Sequence, residues 1–162
     1  MKKCYTLDVV IIMVTVYTSN SCASCRKAIK WLKENNIEFK EINIFNTPIT
    51  KDDIIKMLNN SENGFEDLIS TRSKVFMESN LDIDSMKFND LVAFIIDNPS
   101  ILKRPIIIDD RRIQVGYNDE EIRTFIPASV RREWMCSGDV SKCKYTEELK
   151  YAIKRGKEEN KN

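Results

Sequence analysis

The strongest constraint on the fold is a β-branched apolar run, Met13–Thr18, that stops at Ser19–Ser21 and passes straight into a helical pattern. Such a run bounded by serines reads as a buried strand leading into a helix N-cap. From Ala23 to Asn35 the apolar residues Ala28, Ile29, Trp31 and Leu32 recur at helical spacing, and Asn35–Asn36 ends the pattern. Ile37–Ile44 then alternates as a second strand. Strand, helix and strand of these lengths make a βαβ unit, with a right-handed crossover expected.

Thr50 is placed to cap a helix over Lys51–Leu58, whose Ile54, Ile55 and Leu58 form an apolar stripe, and Asn59–Gly64 is a polar stop. The region Phe65–Leu102 holds at least two more helices, of which Phe88–Ile96 is the clearer. Arg104–Pro105 opens a short strand over Ile106–Asp109, Asp110–Arg111 turns the chain, and Ile113–Val115 completes a hairpin. Asp119–Phe125 reads as a closing helix interrupted at Pro127. The order βαβ, helical insert, ββα predicts an α/β, thioredoxin-like mixed sheet with an inserted all-helical lobe, at about residues 49–103. Residues 13–132 are expected to form this domain. Residues 1–12 read as a leader, with Met13 a candidate start, and residues 133–162 as an extension, partly helical or disordered.

Composition serves mainly to exclude. Lys and Arg total 26 against 25 Asp and Glu, so no global charge pulls the chain toward nucleic acid or membrane. The apolar run near the start is too short to span a bilayer, so no membrane partner is expected. Histidine is absent, which removes Ser-His-Asp and Cys-His nucleophiles and His-ligated zinc. The five cysteines, Cys4, Cys22, Cys25, Cys136 and Cys143, are an odd number outside a disulfide-dense context. That pattern points to a reducing, cytoplasmic location, where close pairs are usually redox or metal sites.

Ser21-Cys22-Ala23-Ser24-Cys25-Arg26-Lys27 is the sharpest chemical signal. A helix N-terminus offers partial positive charge and unpaired N–H donors, and both favour thiolate over thiol. One helical turn separates Cys22 from Cys25, so a disulfide can close with little backbone movement. Cys22, the more exposed of the two, should react first and Cys25 resolve it. Two readings compete: a four-cysteine zinc site completed by Cys136 and Cys143, whose spacing is wider than zinc sites use, and a pair of incidental cysteines. Pro105 is compatible with a cis peptide facing the cysteine turn, or with an ordinary strand-start proline. The cations Arg72, Lys74, Lys103 and Arg104 could hold an oxyanion or phosphate backbone with that helix terminus, or be solvated surface charge.

At these residues the sequence resembles a known family. Tyr17-Thr18-Ser19 before Cys22-x-x-Cys25-Arg26-Lys27-Ala28, Asn43-Ile44-Phe45, Ser70-Thr71-Arg72-Ser73-Lys74-Val75-Phe76, Arg104-Pro105-Ile106-Ile107-Ile108-Asp109 and Gln114-Val115-Gly116-Tyr117-Asn118 are similar to the Spx family of redox-responsive transcription regulators, within the arsenate-reductase-like proteins. The resemblance runs from about Met13 to Arg132. It implies docking on the C-terminal domain of the RNA polymerase α subunit, promoter DNA being met only within that complex, with a Cys22–Cys25 disulfide as the trigger. It further implies that Gly64 makes the contact with the α subunit, that Arg104 responds to the disulfide, that Arg72 and Lys74 are linked basic positions, and that Clp protease, with an adaptor, removes the protein. No cofactor, metal or catalytic residue follows from it. Trp134–Asn162 and the leader lie outside the pattern. An arsenate reductase using Cys22 as nucleophile, with Arg72 and Arg104 as clamps, is the enzymatic alternative, because the Cys22-to-Arg26 spacing is shared with that enzyme family. A general dithiol reductant is weaker, since the Trp-Cys-Gly-Pro context is missing.

Overall fold

The computed structural model describes residues 13–127. Strand β1 (Val14–Thr18), helix α1 (Ala23–Glu34) and strand β2 (Phe39–Asn43) come first. Helices α2 (Lys51–Asn60), α3 (Phe65–Leu68), α4 (Lys74–Ser79) and α5 (Phe88–Asp97) form the inserted lobe. A 3-10 turn at Pro99–Ile101 leads to β3 (Ile106–Ile108) and β4 (Ile113–Val115), and a second covers Glu121–Phe125. The leader with Cys4 and the extension with Cys136 and Cys143 lie outside the described residues.

The strands make one mixed sheet in the order β2-β1-β3-β4, with β1 parallel to β2 and antiparallel to β3. This is the thioredoxin-like sheet expected from the sequence. Ile42, Tyr17, Ile106 and Val115 stand in one row across it. Strand alternation sends them to one face, where they join Ile54 and Met57 of α2 and Leu91, Val92 and Ile95 of α5 in an apolar core. The neighbouring row, Val16, Ile107 and Gln114, is buried as well. Burial of both faces explains why β1 and β3 read as β-branched runs rather than as an alternation.

Thr50 caps α2 in a reciprocal box: its hydroxyl accepts from the Asp53 N–H at 3.2 Å, and the Asp53 carboxylate accepts from the Thr50 N–H at 2.9 Å. The same carboxylate accepts from the Tyr17 hydroxyl at 2.8 Å, tying the lobe to the strand that leads to the cysteines. Burial, then the Asp53 bond, pushes the Tyr17 phenol well above its ordinary range.

One element differs from expectation. The closing helix is a five-residue 3-10 turn at Glu121–Phe125, although the Asn118 side chain caps the segment by accepting from the Glu120 N–H at 2.8 Å. Pro127 then limits it at the other end. The described chain forms one unit as far as Ile122, and a second begins at Arg123.

Candidate functional site

Helix α1 starts on a cysteine. Cys22 is the N-cap, with φ −88° and ψ 110°, and its Sγ accepts from the Cys25 N–H at 3.1 Å. A serine of Ser19–Ser21 was the expected cap. Instead Ser19 opens a turn in which its carbonyl accepts from the Cys22 N–H at 3.3 Å, so Cys22 is the residue that meets the helix. Sulfur is a weak acceptor, and this cap is softer than a serine would make.

Both cysteines are free thiols, Cys22 partly exposed and Cys25 only 3% exposed. Burial pushes the Cys25 thiol up to about 12, helped by the bond to the Cys22 sulfur and opposed by a backbone hydrogen bond from Ser19 and the charge of Arg104. The thiolate stabilisation expected at a helix start therefore does not prevail at Cys25. The two thiols thus differ in access, Cys22 being open to solvent and Cys25 buried beneath it in the turn.

Arg104 reaches this turn from the other side of the sheet order. Its peptide bond to Pro105 is cis, and the Pro105 carbonyl accepts from the Gly116 N–H at 2.7 Å, where φ of +85° suits glycine. The Arg104 guanidinium donates to Ser19 Oγ at 3.5 Å and lies 5.8 Å from the centre of the Phe45 ring. Ser19, Ser21, Cys22, Ser70, Lys103 and Arg104 line one cleft of about 440 Å³.

Lys103 also binds α3. Its Nζ donates to the Glu66 carbonyl at 2.9 Å and its backbone N–H to the Leu68 carbonyl at 2.8 Å. Both acceptors belong to α3, whose N-cap is Gly64. Gly64 has φ +64° and ψ −128°, a conformation that side-chain-bearing residues rarely adopt, although a Cβ there would meet nothing within 4 Å. The loop before it is held by the Asp67 carboxylate, which accepts from the Glu62 and Asn63 N–H groups. The bonds from Asn63 hold that carboxyl below its usual range.

The cations expected to act together are thus split. Lys103 and Arg104 share the cleft with Cys22, whereas Arg72 and Lys74 do not line it. Both are exposed at the start of α4, where Lys74 pairs with Glu78 at 3.6 Å. Among the described residues no cluster of three or more metal-ligating side chains occurs, and no helix is long and apolar enough to cross a membrane. Sequence reasoning assigned no role to Phe45 or to the Tyr17–Asp53 bond. The available signal for Phe45 was its place in the Asn43-Ile44-Phe45 motif, since its 54% exposure emerges only with the fold.

With this geometry in view, comparison with known proteins is direct. The ArsC family matches residues 17–125. The global transcriptional regulator Spx of Staphylococcus epidermidis is 53% identical over 119 residues, covering 74% of this chain and 91% of that one. The Spx protein of Streptococcus mutans is 47% identical over 121 residues, covering 75% and 88%. Among solved structures, a putative ArsC family related protein from Bacteroides fragilis superposes with a TM-score of 0.63 at 26% identity, covering 71% of this chain and 98% of that one.

Proposed function

The chain belongs to the ArsC family, among its Spx-type regulators, and on that premise we propose that it is a redox-sensing transcription regulator rather than an enzyme. It acts in the cytoplasm by docking on the C-terminal domain of the RNA polymerase α subunit. Promoter DNA is contacted within that complex, and Clp protease with an adaptor removes the protein. Residues 13–132 carry these functions, Gly64 marks the contact with the α subunit, and Arg72 and Lys74 supply basic surface.

The observation that carries the reading is a continuous run of contacts from sulfur to α3. Cys22 and Cys25 sit one helical turn apart, Arg104 lies against the same turn, and the next residue back, Lys103, is bonded twice to α3. A disulfide that shifts Arg104 would pull on the segment that positions Gly64. Such a switch acts only through the free-energy difference the disulfide makes between two states. For this two-electron couple about 30 mV already gives a tenfold change in the oxidised fraction.

The test is binding of the purified C-terminal domain of the α subunit to reduced and oxidised protein, with Gly64→Arg beside it. Wild type is expected to bind and Gly64→Arg to lose binding while remaining folded. No binding by wild type in either state overturns the proposal.

A further inference from the structure

We propose that Phe45 is a positioning residue of the thiol switch, its ring holding the Arg104 guanidinium against the cysteine turn so that Cys25 can close the disulfide. The inference rests on the redox reading above and names a residue which that reading does not include.

Phe45 follows β2 and is 54% exposed, leaving a ring face open to a cation. The Arg104 guanidinium stands 5.8 Å from its ring centre, within cation–π range. The hydrogen bond from the guanidinium to Ser19 Oγ is at the 3.5 Å limit. The aromatic face, near the outer edge of cation–π range, is the second of two weak restraints on the guanidinium. Phe45 is held in turn by the Asn43 side chain, which accepts from its N–H at 3.0 Å.

What that placement does follows from electrostatics. Cys25 is buried and must ionise to attack. The charged side chains along its cleft are Arg26, Lys30, Lys33, Glu34 and Glu41. Arg104, reaching the turn from the β3 side, adds a positive charge that counters the burial of the Cys25 thiol. The step it assists is an exchange. With Cys22 held as a mixed disulfide to a small thiol, Cys25 gives its proton to solvent and its thiolate attacks the Cys22 sulfur. The Cys22–Cys25 bond forms, the bond to the small thiol breaks, and that thiol leaves as thiolate. No further oxidant is needed. Releasing Arg104 lowers the thiolate fraction of Cys25 and slows closure.

The experiment uses the full chain with Cys4, Cys136 and Cys143 changed to Ser, treated with the aromatic disulfide 5,5′-dithiobis(2-nitrobenzoate). The first coloured thiolate reports attack on Cys22, and the second reports closure by Cys25. Phe45→Leu should slow the second phase by about two- to five-fold, the size of an exposed cation–π contact, with the same offset at each pH from 6 to 9. Phe45→Trp should close at the wild-type rate or faster. In an Arg104→Gln background, Phe45→Leu should have no further effect. Equal closure rates for wild type and Phe45→Leu, or a Phe45→Trp as slow as Phe45→Leu, would overturn the role of Phe45 and leave the redox reading standing. Failure of wild type to release the second thiolate would sink both.

Discussion

Lys103 and Arg104 are neighbours in sequence and opposites in attachment. On the Lys103 side the chain is anchored: Leu102 is 1% exposed in the lobe core and bridges to Ile69, and both nitrogens of Lys103 make bonds under 3 Å to α3. On the Arg104 side the contacts are a 3.5 Å hydrogen bond, a ring face and a helix capped by sulfur. The difference teaches where a small chemical change can act. A disulfide cannot rearrange a packed apolar core, but in the proposed switch it would reset weak polar contacts, and the firm half of the segment would carry the displacement to α3 as a unit.

The comparison can be broken first at its firm half. Leu102→Ala should lower stability by about 2–5 kcal/mol, measured by urea unfolding, because the packed core around it would relax only partly over the cavity. A loss below 1 kcal/mol would mean that this half is not an anchor. At the soft half the effect is smaller and its order is informative. Cys22→Ser should be more stable than Cys22→Ala by about 0.5–2 kcal/mol, since serine makes the stronger cap. Equal stability of the two would show that a side-chain cap at this position contributes nothing.

The Tyr17–Asp53 bond joins the two halves through the sheet, and its loss in Tyr17→Phe should cost about 0.5–1.5 kcal/mol near neutral pH. The phenol is raised in the fold, so its contribution is full below the unfolded value of about 10 and fades as pH rises toward the folded value. The stability gap between wild type and Tyr17→Phe should therefore narrow in thermal melts above about pH 10. A gap that widens there would contradict the assignment. The smallest effect belongs to the ammonium of Lys103. Lys103→Met should cost under about 1 kcal/mol, yet it should weaken binding to the α subunit as a severed link would.

Much of this was legible from sequence because it rests on local chemistry. The β-branched run of β1, the Thr50 cap, and the turn at Asp110–Arg111 each carry their own periodicity or turn signature. The cysteine pair and its place at the head of α1 were equally plain. What escaped depends on contacts across the fold. Which residue would cap α1 turned on a turn at Ser19 that the serines around it obscure. Phe45 and Arg104 meet only because β2 and the segment before β3 lie at the same end of the sheet. Arg72 and Lys74 look like partners of Lys103 and Arg104 by charge, but α4 sets them apart from the cleft, and charge alone carries no direction.

The central claim is that the state of two sulfurs is felt at α3. Backbone hydrogen exchange of the full chain, reduced and with the Cys22–Cys25 disulfide closed, tests it most directly. The account predicts a changed exchange rate at the Lys103 and Ile69 amides, which bond to the Leu68 and Phe65 carbonyls, together with the change at α1. Identical exchange at both amides in the two states, with differences confined to α1, would contradict it.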